Sequence, residues 1–150
     1  MEFRLATNED IEELKALDNI SAVNDAINNQ KFFVLDNKDL INYYLDQKGL
    51  IIAEQDGKII GYILTQIMAW VHGIKKAVWI EHIGTHPEYR KNGVAVRLLE
   101  FTKNYYKDKA ECLYGEIHPL NEKSIRLFEK FDCEFVDRKL VFKEIKGVTS

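Results

Sequence analysis

Ile80-Glu81-His82-Ile83-Gly84-Thr85-His86-Pro87-Glu88-Tyr89-Arg90-Lys91-Asn92-Gly93-Val94-Ala95 is the stretch that decides how this 150-residue chain is read. Its first half has the apolar character of a strand. Pro87 marks a turn. An Arg-x-x-Gly-x-Ala loop then opens a helix running from about Lys91 to Lys107. Val94, Leu98, Phe101 and Tyr105 recur at spacings of four, three and four, which places them on one helical face. Gly93 and Ala95 fall in the first turn, where small side chains let a ligand come close to the backbone. The first four N–H groups of a helix lack internal partners, and the helix dipole adds about half a positive charge there. Such an end suits a phosphate. The loop has neither the Gly-Lys-Ser/Thr of a nucleotide P-loop nor the Gly-x-Gly-x-x-Gly of a dinucleotide fingerprint.

Working outward, Leu50–Ala53 and Ile59–Leu64 are strand-like and flank Asp56-Gly57, a hairpin signal. The second of these strands extends toward Trp70, and Ala77–Thr85 returns after a turn at Gly73–Lys76. Phe3–Leu5 is a short apolar start. Thr7 and Asp10 mark a helix start, and Ile11, Leu14 and Leu17 continue it. Ser21–Ile27 reads as a second short helix and Asp39–Gln47 as a third, stopped by Gly49. Boundaries are least defined between Asp18 and Lys48. Downstream, Cys112–Ile117 is a strand, Asn121–Phe131 a helix with Ile125, Phe128 and Phe131 nearly in line, and Phe135–Ile145 one or two closing strands. The order β-α-α-β-β-β-α-β-α-β predicts an α/β fold: one domain over residues 1–150, with a mixed central sheet flanked by helices.

Composition agrees with one globular domain: 46% hydrophobic, 30% charged, two prolines. A net charge of −3 disfavours broad binding to nucleic acid or to an anionic membrane. Two cysteines, Cys112 and Cys133, are too few for a disulfide framework. The N-terminus lacks a signal-peptide pattern, and the Ile59–Val71 region is too short to span a bilayer. The expectation is a soluble cytoplasmic protein. His72, His82, His86 and His118 make no zinc pattern with the cysteines, so no metal is expected.

A second motif strengthens the first. Asn121-Glu122-Lys123-Ser124-Ile125-Arg126-Leu127-Phe128-Glu129-Lys130-Phe131 follows the strand and His118-Pro119. With the Arg90 loop, about 30 residues earlier, it resembles the signature pair of the GCN5-related N-acetyltransferases, the GNAT family. The resemblance covers roughly residues 77–145. It implies an acetyl-CoA-dependent N-acetyltransferase of GNAT fold that moves acetyl to a primary amine by direct attack in a ternary complex. It further implies that Arg90, Lys91, Asn92, Gly93, Val94 and Ala95 hold the pyrophosphate, that backbone groups of Ile83 and Thr85 pair with the pantetheine arm, and that Asn121 and Phe128 contact the cofactor. Asn121 is also an ordinary N-cap.

The family often has a tyrosine where this chain has Phe128, and that tyrosine can protonate the departing thiolate. Phenylalanine cannot. Proton donation of this kind is worth about 10²- to 10⁴-fold. Asp132-Cys133 replaces the usual Gly-Phe after the helix. Glu81, in the strand before the loop, is the leading catalytic base, with a partly buried Glu paired to Lys or Arg as the bland alternative. His82 is the rival, but strand alternation sends Glu81 and His82 to opposite faces. Phe32, Phe33, Tyr43, Tyr44 and Trp70 are either core or the lining of an acceptor pocket. The acceptor is a small-molecule or peptide amine, and a homodimer is allowed. Two other readings stay open: a catalytically silent CoA-binding regulatory module, and a protein or peptide N-terminal acetyltransferase of the same fold.

Overall fold

In the computed structural model, which describes residues 1–21, 38–69, 73–141, 143 and 145, five strands lie in sequential order in one sheet. They are β1 (Glu2–Leu5), β2 (Leu50–Gln55), β3 (Lys58–Met68), β4 (Ala77–Thr85) and β5 (Cys112–Gly115). The first four run antiparallel, and a two-residue turn joins β2 to β3. β5 pairs with β4 in parallel, because helix α3 (Val94–Tyr106) carries the chain back between them. The β2–β3 hairpin turns at Asp56 and Gly57, both at positive φ (52° and 74°), as a two-residue turn of this kind requires.

The sheet is covered on both faces. Leu14 and Leu17 of α1 (Ile11–Ser21) and Ile41 and Tyr44 of α2 (Lys38–Asp46) pack on Leu50, Ile52, Ile59, Tyr62 and Leu64. Val94, Leu98, Leu99 and Tyr106 of α3 pack on Ile51, Ala53, Ile60, Ile63, Val78 and Ile80 from the other side. Leu127, Phe128 and Phe131 of α4 (Glu122–Lys130) join that second cluster. A 3₁₀ turn, Asn8–Asp10, leads into α1. There the Thr7 N–H donates to the Asp10 carboxylate at 2.8 Å, and the Arg4 guanidinium grips the same carboxylate through two 2.8 Å bonds. Arg4 above all holds the Asp10 carboxyl below the usual range.

Several sequence expectations shift, and β5, read to Ile117, ends at Gly115. β3 ends at Met68, short of Trp70, and α2 begins one residue earlier than read. α3 starts at Val94, so Gly93 caps the helix from outside its first turn. The closing strands expected over Phe135–Ile145 are absent among the described residues there. Phe135, Val136, Leu140, Val141 and Ile145 are exposed instead. The physical reason lies in the pattern: Phe135 and Val136 are adjacent and Asp137-Arg138-Lys139 follow, so no single face of a strand is apolar. The short helix read over Ser21–Ile27 lies outside the described residues, except that Ser21 ends α1.

Candidate active site

The site is built where β4 changes partners. Its first residues, Ala77 to Ile80, pair with both β3 and β5, and the parallel ladder ends at Ile80 opposite Gly115. Beyond that point no described strand lies on the β5 side of β4. The register with β3 shifts at the same place: Leu64 faces His82, Thr65 faces Ile80, and Glu81 is the extra residue of a bulge. The His86 N–H donates to the Ile60 carbonyl at 2.9 Å. By antiparallel alternation, Gly84 and His82 also bond toward β3, while Ile83 and Thr85, opposite Ile63 and Gly61, turn their backbone groups into the gap. An extended ligand can pair there as an added strand would.

The bulge overturns the expectation that Glu81 and His82 face opposite sides of the sheet. The Trp79 indole N–H donates to Glu81 Oε2 at 2.6 Å. Trp79 pairs in register with Gln66, which accepts from the Tyr43 hydroxyl of α2 at 2.8 Å. Glu81 also lies near the neighbouring Tyr44, whose hydroxyl is pushed up to about 12, first by burial and then by the Glu81 charge. His82 sits opposite Leu64, and its ring is 5.7 Å from that of Tyr62 on the α1–α2 face. Both side chains therefore look toward α1 and α2. An inserted residue breaks the two-residue alternation and re-aims the side chains beyond it. Glu81 is exposed, and no Lys or Arg of the described residues pairs with it. Burial holds the His82 imidazole below its usual value, against the opposing charges of Asp18 and Glu81.

The loop before α3 leaves backbone groups open in a conformation that can receive an anion. Gly93 takes φ 75° at the N-cap, a left-handed conformation that favours glycine, and a Cβ there would meet nothing within 4 Å. Lys91 is also left-handed, at φ 68°. No side chain caps α3, and no acidic residue lies in its first turn. Lys91, Asn92 and Gly93 are exposed, Ala95 is half-buried, and Val94 anchors the loop in the core. Arg90 points elsewhere: its guanidinium donates at 3.2 Å to the Ser21 carbonyl, at the negative end of α1. Asn121 caps α4 by accepting from the Ser124 N–H at 3.2 Å. Asp132 adopts the left-handed conformation (φ 56°) expected of it at the end of that helix. Phe128 is half-buried against the α3-side core.

Sequence reasoning missed two residues. Asp18 is only 1% exposed, and Tyr62 is fully buried and donates its hydroxyl to that carboxylate. A signal existed, since Asp18 stands four residues after Leu14 and so on the core face of α1. Tyr43 and Tyr44 flank the Glu81 side, whereas Phe32, Phe33, Trp70 and His72 lie outside the described residues. Burial raises both thiols, Cys112 and Cys133, so neither is poised as a thiolate. Among the described residues no group of His, Cys, Asp or Glu is placed to hold a metal, and no helix is long and apolar enough to cross a membrane.

Residues 13–133 match the profile of the acetyltransferase (GNAT) family. The chain belongs to that family. An N-alpha-acetyltransferase of Sulfurisphaera tokodaii is 28% identical over 108 residues, covering 67% of this chain and 59% of the relative, so the chain spans well under two thirds of that protein. Solved GNAT-like structures share the fold over nearly full length. A possible acetyltransferase from Clostridium difficile has a TM-score of 0.79 at 17% identity, covering 97% of this chain and 98% of the other. The aminoglycoside N-acetyltransferase AAC(6')-Iy, solved with a CoA-linked acetylneamine bisubstrate analogue, has a TM-score of 0.76 at 21% identity, covering 96% and 97%.

Proposed function

We propose that this GNAT chain moves acetyl from acetyl-CoA to a primary amine by direct attack in a ternary complex. The observation that carries the reading is the open edge of β4. Ile83 and Thr85 turn their backbone groups into it, the Gly93 loop stands at one end and the Glu81 carboxylate at the other. The loop N–H groups and Lys91 would take the pyrophosphate, with Asn92, Val94 and Ala95 shaping the cradle. Arg90 would join them by leaving the Ser21 carbonyl, a weak partner beside a diphosphate. Asn121 would meet the same arm from the start of α4, and Phe128 would pack against it.

An alkyl ammonium titrates near 10, so the amine must lose a proton before it attacks. Glu81, exposed and without a cationic partner among the described residues, attracts the ammonium and accepts its proton directly or through water. The amine nitrogen then bonds to the thioester carbonyl, the C–S bond breaks, the thiolate leaves with the electron pair, and the second proton on the nitrogen passes to water as the amide forms. With phenylalanine at position 128, the thiolate departs unassisted by that side chain. The acceptor classes are small amines and peptide N-termini, the latter suggested by the N-alpha-acetyltransferase relative. A cytoplasmic location goes with this reading. Phe128 favours a second reading, a CoA-binding module without turnover.

The test has two arms. Acetyl-CoA should raise the melting temperature of the chain, and Gly93→Val should abolish that rise, because the side chain fills the cradle and strains its left-handed backbone. An undiminished rise in Gly93→Val would remove the loop from the pyrophosphate site. Acetyl-CoA consumption should then appear with at least one of polyamines, aminoglycosides, amino acids or peptide N-termini. Binding without consumption on any of them would leave the silent module.

A further inference from the structure

Behind the exposed Glu81 carboxylate lies a second acid that the mechanism above does not use. Asp18 is 1% exposed, on the core face of α1 between Leu14 and Leu17 on one side and Ser21 on the other. Burying a carboxylate costs several kcal/mol unless it is well bonded, and an apolar side chain of similar size would suit that face as well or better. Its carboxylate receives the Tyr62 hydroxyl. Burial, and next this bond, raise the Tyr62 hydroxyl far above its ordinary value, so the proton stays on tyrosine. The Tyr62 ring lies across the backbone of β4 at Gly84. A Cβ on Gly84 would sit 2.4 Å from Tyr62 Cε1 and 2.7 Å from Cζ, so only glycine leaves room for the ring. Two residues back on the same face, His82 meets the ring at 5.7 Å between centroids, tilted by 31°.

The last turn of α1 is fastened at a second point. The Ser21 hydroxyl donates to the Asp18 carbonyl at 3.3 Å, and its own carbonyl takes Arg90 of the cofactor loop. Among the described residues, the groups that act on His82 are Asp18 from α1, Tyr62 from β3 and Glu81 beside it in β4, with Tyr44 of α2 near Glu81 and Arg90 at the end of α1. Two of these are carboxylates, and both favour a proton on the imidazole.

We propose that Asp18 and Tyr62 are positioning residues that fix His82 at the β4 bulge, and that His82 so held takes up the proton which the attacking amine gives to Glu81. The inference rests on the acetyl-transfer reading for its chemistry. The amine N–H bond breaks, the proton passes through the Glu81 carboxylate to an imidazole nitrogen, and the charges of Asp18 and Glu81 favour the imidazolium formed. Glu81 is then free to meet the next ammonium, and His82 releases its proton to water after the thiolate has left.

The test is a titration of the full chain carrying ¹³Cε1-labelled histidine, followed by NMR. In the wild type the His82 resonance should titrate below the ordinary histidine value, because the ring is desolvated. In Asp18→Asn, which keeps the shape and removes the charge, its midpoint should fall by about half a pH unit or more, as expected on losing a nearby carboxylate. The acetyl-CoA melting shift should persist. With whichever amine supports turnover, the rate rises with pH as His82 loses its proton. The acid limb should follow the midpoint downward in Asp18→Asn. A clamp that only holds α1 on the sheet would lower the melting temperature and move neither midpoint nor limb, and that result overturns the proposal. If Asp18→Asn does not fold, Tyr62→Phe removes only a hydroxyl and must still displace the His82 midpoint, an unmoved one being equally fatal. The NMR arm needs no turnover. A chain that acetylates nothing while its His82 midpoint moves would refute the proposed function and the proton's route, and would leave Asp18 and Tyr62 as the groups that set His82.

Discussion

The two halves of β4 differ in their pairing and in their burial. Ala77–Ile80 is held on both edges, and Ala77, Val78 and Ile80 are buried in the core. Glu81–Thr85 begins at a bulge, is held on one edge among the described residues, and buries only Gly84. The difference shows where a sheet keeps reactive capacity. A strand with both ladders made has spent its backbone donors and acceptors, and its side chains serve packing. A strand with one ladder made still offers backbone groups, and its side chains are free for chemistry.

The largest effect expected from this contrast is on turnover, from the open half. Glu81→Gln keeps the shape and still accepts the Trp79 N–H, but it cannot draw in an ammonium or take its proton. Turnover should fall at least about tenfold, within the range of a positioned base. The melting temperature and the shift given by acetyl-CoA should stay at wild-type values, since the side chain is exposed and the cofactor cradle untouched. Wild-type turnover in Glu81→Gln would end its assignment as base and leave water or His82 alone to take the proton.

The elements of this contrast are unequally legible in the sequence. Local chemistry is: the Asp56-Gly57 hairpin, the turn at Pro87, the glycine opening α3, the Asn121 cap, and the left-handed Asp132 each depend on residues within a few positions. The bulge at Glu81 is not, because nothing in Ile80-Glu81-His82 differs from an ordinary strand. It arises when β3 and β4 meet with one residue more on β4 than on β3 between Ile80 and His82, a non-local fact. That one residue decides the orientation of both candidate bases. The Arg90–Ser21 bond joins positions far apart in the chain and is equally invisible. Asp18 differs again. Its spacing from Leu14 marks a core position, but an acid there argues against itself because acids are seldom buried. The closing strands fail for want of a continuous apolar face over residues 135–141.

From the closed half the expected effect falls on stability and spares the chemistry. Val78 is 0% exposed and packs in the α3-side core. Val78→Ala removes two carbons and leaves a small void, at a cost of about 2 kcal/mol. Urea unfolding should show the midpoint lowered with its slope unchanged. Turnover per folded molecule, measured well below the new melting point, should remain within about twofold of wild type. A stable but inactive Val78→Ala protein would erase the division between the halves.

The smallest effect tests the one side chain that reaches across the boundary. Trp79 belongs to the closed half by its pairing with Gln66 and Tyr114, yet its indole N–H donates to Glu81 Oε2 at 2.6 Å. Trp79→Phe keeps an aromatic ring beside Tyr114, where the two rings now stand 5.3 Å apart, and removes the donor together with part of the indole ring. Because Glu81 is exposed, water can replace part of that bond, so its loss should cost about 0.5–1 kcal/mol. That corresponds to a fall in turnover of roughly two- to fivefold. If the indole acts by orienting the carboxylate, the loss must depend on the carboxylate being there. In Glu81→Gln, adding Trp79→Phe should therefore change turnover less than it does in the wild type, giving a non-zero coupling in the double-mutant cycle. Fully additive losses would show that Trp79 acts on the reaction by some other contact, and that the boundary at Ile80 is not bridged by this hydrogen bond.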